Sequence, residues 1–280
     1  MRKEIVKETD FKNEERPSTR LKQFFDIFKN RFVELLKISL LQAVYNVPLI
    51  VTLILFYALI RNAENVNSTM TIFLVQAGSF LISLPVAFIG MMGTFYCMKK
   101  LAYAEGEFAS SSFFIGVREE WMKGLAIGLI AGVSACLGLI GIFFSYFYLS
   151  QVNSVTSGLC IAMLGIQFIV VMMVCYYSVA QCEVYANKLR YTLKNSFIMT
   201  LMRFPFNLVV FVIYPGIFIA LFAIMEITMY VGVVLLLFFA VIGHLMWMLN
   251  CLSAFDAFIN KEQYPDYYKK GLNKEVSKEE

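Results

Sequence analysis

Residues 124–150 of this chain contain no Asp, Glu, Lys or Arg. A run of that length and polarity exceeds what one core helix of a small water-soluble domain can cover. As a helix it suits a bilayer, whose hydrocarbon layer of ~30 Å takes about 20 residues. Six such runs can be marked, at about 38–60, 71–97, 124–150, 156–180, 204–226 and 230–257. Backbone N–H and C=O groups in lipid must be satisfied within the segment itself, so each run reads as a helix. Only 16% of the 280 residues are charged, against about a quarter in soluble chains. The expected fold is therefore all-α: a polytopic membrane protein with six transmembrane helices. The first run starts near Ile38, too late and too long for the apolar core of a cleaved signal peptide, so it reads as an uncleaved signal anchor. The last two runs are divided only by "MEITMY" (225–230), where Glu226 is the single charge.

Charge asymmetry supports a turn there. Ten Lys/Arg precede the first run, four lie in 98–123, four in 181–203 and five follow Ile259, which is 23 of the 24 bases. The alternate loops, 61–70, 151–155 and 226–230, hold Arg61 alone. Cytoplasmic loops carry the Lys/Arg excess, so both termini should be cytoplasmic and the number of spans even. The chain divides into a charged flexible tail (1–19), a six-span membrane domain (20–258) and a cytoplasmic C-terminal tail (259–280). The outer loops are short, so the surface open to a partner lies mainly on the cytoplasmic side.

That side carries a recurring pattern. In 20–37, "RLKQFFDIFKNRFVELLK", residues Leu21, Phe24, Phe25, Phe28, Phe32, Leu35 and Leu36 fall on one helical stripe, as in a helix lying along the headgroup boundary. The pattern then loses its polar side and becomes the first span. Phe28-Lys29-x-x-Phe32, Val117-Arg118-x-x-Trp121 and Leu193-Lys194-x-x-Phe197 each set a base beside an apolar pair four residues apart, on one helical face. Each precedes an odd-numbered span. The chain thus reads as three units of inner-surface helix plus transmembrane hairpin, the kind of internal repeat that membrane transport folds use. Lys29, Arg118, Trp121 and Lys194 are the candidate interaction residues. Two roles stay open for them: anchoring in the lipid interface, or docking of a cytoplasmic protein. Anchoring is the expected role of the bases individually; the one support for docking is Glu105, Glu107, Glu119 and Glu120 in the 98–123 loop, because acids do not help adhesion to anionic lipid.

"GTFYCMKKLAYAEGEFASSSFFIGVREEWMKGLAIGLI" (93–130) resembles the YesL family of bacterial membrane proteins. The likeness lies in the basic end of the second span (Lys99, Lys100), the acidic Gly turn (Glu105, Gly106, Glu107) and the amphipathic helix that leads into the third span. "YNVPLIVTLILFYAL" (45–59) is similar to the family's Asn- and Pro-containing first span. The resemblance implies a multi-pass protein of the bacterial plasma membrane, an accessory role near carbohydrate uptake and degradation, and no catalytic residues to carry over.

Ionisable groups inside a bilayer mark function by default, and here they are scarce. His244 lies near the middle of the sixth run with no carboxylate at similar depth, so a neutral, hydrogen-bonded imidazole is the expectation and a proton-relay role the rival. Asn46 is the second candidate polar position. With Gln42, Gln76, Gln167, Asn207 and Asn250 it reads as interhelical glue, each amide contributing about 0.6 kcal/mol, or as part of a polar pathway beside the kinks at Pro48 and Pro85. Gly124, Gly128 and Gly132 form a GxxxGxxxG spacing that lets a neighbouring helix approach closely. The six cysteines form no C-x-x-C or Cys/His pair and read as reduced packing residues. With one His there is no HExxH, and neither Walker A nor GxSxG occurs. The expectation is a non-enzyme with no metal, no cofactor and no nucleic-acid partner. Its partners would be the bilayer and a membrane transporter or cytoplasmic protein. A small-solute permease is the alternative.

Overall fold

The computed structural model describes residues 16–105, 109–185, 187–213 and 228–273, with the side chains of 228–239 excepted. Its described elements are helical throughout: α1 (Arg20–Asn30), α2 (Phe32–Arg61), α3 (Val66–Ala102), α4 (Ala109–Val152), α5 (Ser154–Val184), α6 (Leu189–Met202), α7 (Phe204–Phe211) and α8 (Thr228–Phe255). A π-helical turn at Asp256–Asn260 and a short α9 (Lys261–Gln263) extend α8. Five described helices are long and apolar enough to cross a membrane: Phe32–Arg61, Val66–Ala102, Ala109–Val152, Ser154–Val184 and Ala240–Gln263. The fifth expected run, 204–226, is described only to Ile213; Pro215 and Glu226 lie outside the described residues.

Sequence chemistry accounts for the element ends. Asn65 opens α3 with a reciprocal capping box, its side chain accepting from Ser68 N while Ser68 Oγ accepts from Asn65 N. Asn153 caps α5 by accepting from Val155 N and Thr156 N. These caps satisfy exposed helix-end donors, so the α2–α3 and α4–α5 connections can be very short. Pro48 and Pro85 stay inside α2 and α3 without ending them, whereas Pro205 stands in the first turn of α7, where its missing N–H costs nothing.

The α3–α4 pair is the spine of the bundle, with α2 on α3, α5 on α4, and α8 against α2 and α3. Glycine makes the spine close. A Cβ at Gly124 would meet Phe88 O at 3.1 Å, one at Gly128 would lie 2.5 Å from Pro85 Cα, and one at Gly132 would lie 2.8 Å from Phe80 O. The GxxxGxxxG face therefore packs on α3 within the same chain. Outside the core, Val44, Leu55, Ile82, Met163 and Ile166 belong to a wide belt of exposed aliphatic side chains. A water-facing surface does not carry apolar area on that scale, so the belt faces lipid.

The three surface-to-span transitions differ. Residues 117–134 run through as one helix, α4. The first unit breaks at Arg31 (φ −125°, ψ 26°), which separates α1 from α2. That corrects the expectation of a continuous passage into the first span. The corner frees α1 to fold back on the bundle, and it does so with Gln23 and Ile27 buried while Leu21 (69% exposed) and Phe25 (61%) face outward. The third unit breaks at Arg203 with similar angles (φ −114°, ψ 24°). The two corners lie at different distances from the base of the shared signature, two residues after Lys29 and nine after Lys194.

Candidate functional site at the basic end of the bundle

Four chain segments that are distant in sequence meet at the end of the bundle that holds Lys99, Lys100 and both described termini. Arg20 Nη2 pairs with Asp256 Oδ2 at 2.8 Å, each side chain 10% exposed. Arg20 Nη1 also donates to Gln23 Oε1 (2.9 Å) and to Lys270 O (3.1 Å). The second carboxylate oxygen of Asp256 accepts from Asn260 Nδ2 (2.8 Å) and Lys269 N (3.0 Å). Asn260 in turn accepts from the Tyr185 hydroxyl. Gln23 Nε2 donates to Ala102 O (2.6 Å) and Gly271 O (3.3 Å), and Asn273 N donates to Pro17 O (3.1 Å). A buried ion pair is favourable only when further hydrogen bonds offset its desolvation, and here both partners have them.

Residues 264–273, within the expected C-terminal tail, thus form a strap across this end. Gly271 has φ +82°, and a Cβ there would lie 1.9 Å from Ala102 O, so only glycine fits. Lys270 Nζ pairs with Glu105 Oε1 at 2.8 Å and lies 4.8 Å from the centre of the Tyr103 ring. Tyr103 and Tyr185 are both buried. Burial pushes the Tyr103 phenol well above its ordinary pKa, with the Arg20 charge pulling the other way. Burial likewise raises Tyr185. Both remain neutral at physiological pH. No local pattern in the sequence announces this network. Its one visible signal is Asp256, a carboxylate closing an otherwise apolar run.

The sequence-derived candidates are distributed around this end rather than gathered in it. Lys29 on α1, Arg118 on α4 and Lys194 on α6 are all exposed, as is Trp121 (45%). No hydrogen bond, ion pair or ring contact joins these four among the described residues. The face of α4 that bears Arg118 and Trp121 also exposes Phe114 and Met122. Its opposite face is fixed to α3: a Cβ at Gly116 would meet Tyr96 Cβ at 2.5 Å, and Phe113 and Ser112 are buried.

Deeper in the bundle Gln42, Asn207, Asn250 and Gln167 bond between helices, whereas Asn46 bonds only to Gln42 within α2 and the buried Gln76 Nε2 has no hydrogen-bond partner among the described residues. Gln42 Nε2 donates to Asn46 Oδ1 and to Ala87 O, each at 3.2 Å, and Gln42 Oε1 accepts from Thr94 Oγ1 at 2.7 Å. Asn207 Oδ1 accepts from Tyr177 (2.9 Å) and Asn250 Nδ2 (3.0 Å). Gln167 Nε2 donates to Ser134 Oγ at 2.9 Å. His244 is buried among aromatics, with ring centres 5.8 Å from Phe95 and 6.0 Å from Tyr176, which stacks on Trp247. Asp256 is 12 residues further along the same chain segment, about 18 Å at helical rise, which is too far for direct proton exchange with His244. Among the described residues no three His, Cys, Asp or Glu side chains are grouped to hold a metal, and all six cysteines are free thiols.

Comparison of the chain with known protein families, with curated proteins and with solved structures finds no match.

Proposed function

We propose that this is a six-span accessory protein of a bacterial plasma membrane, akin to the YesL family, that serves a carbohydrate uptake system through its cytoplasmic face. The single observation behind this reading is the ledge formed by Ala109–Lys123 of α4. It is one unbroken helix with the span that follows, it is locked to α3 on one side, and it offers Phe114, Arg118, Trp121 and Met122 on the other. Glu119 and Glu120 on the same stretch suit a protein partner better than an anionic lipid surface. Six crossings are favoured by parity. Arg20 and Asp256 meet at one end, α6 packs on the same end of α5, and α8 returns there. An outward crossing by the sequence run 204–226, described only to Ile213, fits that parity. The basic end is cytoplasmic by the Lys/Arg excess.

The test is site-specific photo-crosslinking at Trp121 in cells, with flotation on liposomes as a control for lipid anchoring. A crosslink to a component of a sugar permease that disappears on Arg118→Ala, while membrane association persists, supports the reading. Unaided solute flux by the purified protein in liposomes overturns it in favour of a small-solute permease, the alternative for which the buried amides of α2, α7 and α8 speak.

A further inference from the structure

The antiparallel pair α4–α5 gathers carboxyl groups at its basic end. Gln167 Nε2 meets Ser134 Oγ at 2.9 Å and Cys175 Sγ reaches Ile127 O at 3.8 Å. Carried about two turns further, that register sets Glu183 of α5 opposite Glu119 and Glu120 of α4. α5 has 31 residues, about 46 Å at helical rise, against a hydrocarbon layer of ~30 Å. Glu183 follows the apolar run 156–180 and stands beyond that layer, beside Lys99. It is nevertheless only 6% exposed, and its Oε1 is enclosed with no hydrogen-bond partner among the described residues. The two bases near it are engaged elsewhere. Lys99 Nζ donates to the main-chain O of Glu183 at 2.8 Å and lies 4.7 Å from the centre of the Tyr96 ring. Lys123 Nζ pairs with Glu120 Oε2 at 2.8 Å. Burial is the largest influence on the Glu183 carboxyl and raises its pKa; Lys99 lowers it, Glu120 and Glu119 raise it, and Lys123 lowers it. From α6, Thr192 reaches the adjoining Cys182 and brings no charge. An enclosed carboxylate without a bonded cation is costly, whereas a carboxylic acid needs no counter-ion.

We propose that Glu183 is a proton-binding site that governs the α4 ledge: with its proton it lets the Glu119–Lys123 turn pack on the end of α5, and loss of the proton at higher pH loosens that packing. An ionised Glu183 faces Glu119 and Glu120 across the helix pair. Its relief is to admit water or to draw Lys123 away from Glu120. Either change shifts the turn that carries Trp121 and Met122. As regulation of that surface, the inference rests on the reading of the ledge as a docking site. The proton on Glu183 does not, and each readout below uses the protein without a partner, so the two can fail separately.

The experiment is infrared spectroscopy of the purified protein in detergent from about pH 5 to about pH 9, with melting and hydrogen exchange on the same samples. At neutral pH wild type should show the C=O band of a protonated carboxyl, and Glu183→Gln should lack it. A carboxyl held neutral in the fold contributes stability that is complete below about pH 4.3, the ordinary Glu value, and is lost as pH rises through its folded-state pKa. Glu183→Gln keeps the neutral shape, so it should melt close to wild type at the acid end and progressively above it as pH rises. Protection of 109–123, corrected for intrinsic exchange, should fall with pH in wild type but not in Glu183→Gln. Glu119→Gln with Glu120→Gln removes two like charges and frees Lys123, so the carboxyl band should vanish at a lower pH than in wild type. That arm decides the matter if Glu183→Gln does not fold. Absence of the band at neutral pH overturns the proposal. So does a melting difference between Glu183→Gln and wild type that is the same at every pH, or ledge protection indifferent to pH.

Discussion

Gly128→Ala tests the helix spine most sharply. The added methyl would stand 2.5 Å from Pro85 Cα, 3.0 Å from Leu84 O and 3.0 Å from Phe88 Cβ. Carbon atoms pack best at about 3.5–4.0 Å, and two of these three neighbours are backbone, so no rotamer change relieves the overlap. α3 and α4 must separate by about 1 Å, which also loosens the contacts at Gly124 and Gly132. Overpacking of this kind costs typically 1–3 kcal/mol, while alanine returns up to about 1 kcal/mol of helix propensity relative to glycine. With full return of that propensity the net expectation is a loss of about 0–2 kcal/mol, toward the upper end because two of the three clashes are with backbone, with Gly128→Leu worse. Gly138 on the same helix has no atom within 4 Å of its ideal Cβ, so Gly138→Ala gains the propensity without the clash. Gly124→Ala, whose nearest neighbour is the movable Met92 side chain at 3.0 Å, belongs between them. Melting of the three variants in detergent should give Gly138→Ala at or above wild type, then Gly124→Ala, then Gly128→Ala. If Gly128→Ala melts no lower than Gly138→Ala, close α3–α4 packing is wrong.

Three further outcomes follow from the basic end and the core. Asp256→Asn or Arg20→Ala leaves a buried partner uncompensated, at a cost of about 3–5 kcal/mol, and hydrogen exchange should rise in 264–273 before it rises in α3. Tyr103 and Tyr185 have raised folded-state pKa values, so their contribution is complete below about pH 10, the unfolded tyrosine value, and is lost as pH rises above it. Tyr103→Phe, which removes a hydroxyl with no hydrogen-bond partner, should flatten the alkaline fall in melting temperature with little effect at pH 7. His244→Gln should leave expression and membrane insertion intact; lost function in a well-folded variant would instead favour a proton-coupled permease.

The apolar spans were legible because lipid imposes one rule on every residue in them, and the glycine spacing because it is periodic along one helix. The corner at Arg31 was not legible, since "FKNRFVELLK" keeps its apolar stripe on both sides of the break. The strap was still less so. Arg20 and Asp256 are 236 residues apart, and a contact at that separation leaves no spacing signature. Of the candidate positions, Gly124, Gly128 and Gly132 line one helix contact, and Asn46 and His244 lie among packed neighbours. Lys29, Arg118, Trp121 and Lys194 are on the surface, where a sequence can mark exposure but not what is bound.

The measurement closest to the central claim is single-cysteine labelling in intact cells, on a background lacking the native cysteines. Cysteines at Ser111, Lys188 and Lys261, three exposed positions at the basic end, should resist an impermeant reagent until the membrane is opened. Cysteine at Val152, exposed at the other end, should react at once. The proposed six-span topology, with the basic end on the cytoplasmic side, predicts this pattern, with Lys188 and Lys261 on the same side. Outside labelling at Lys261 but not at Lys188 would leave an odd number of crossings and contradict it.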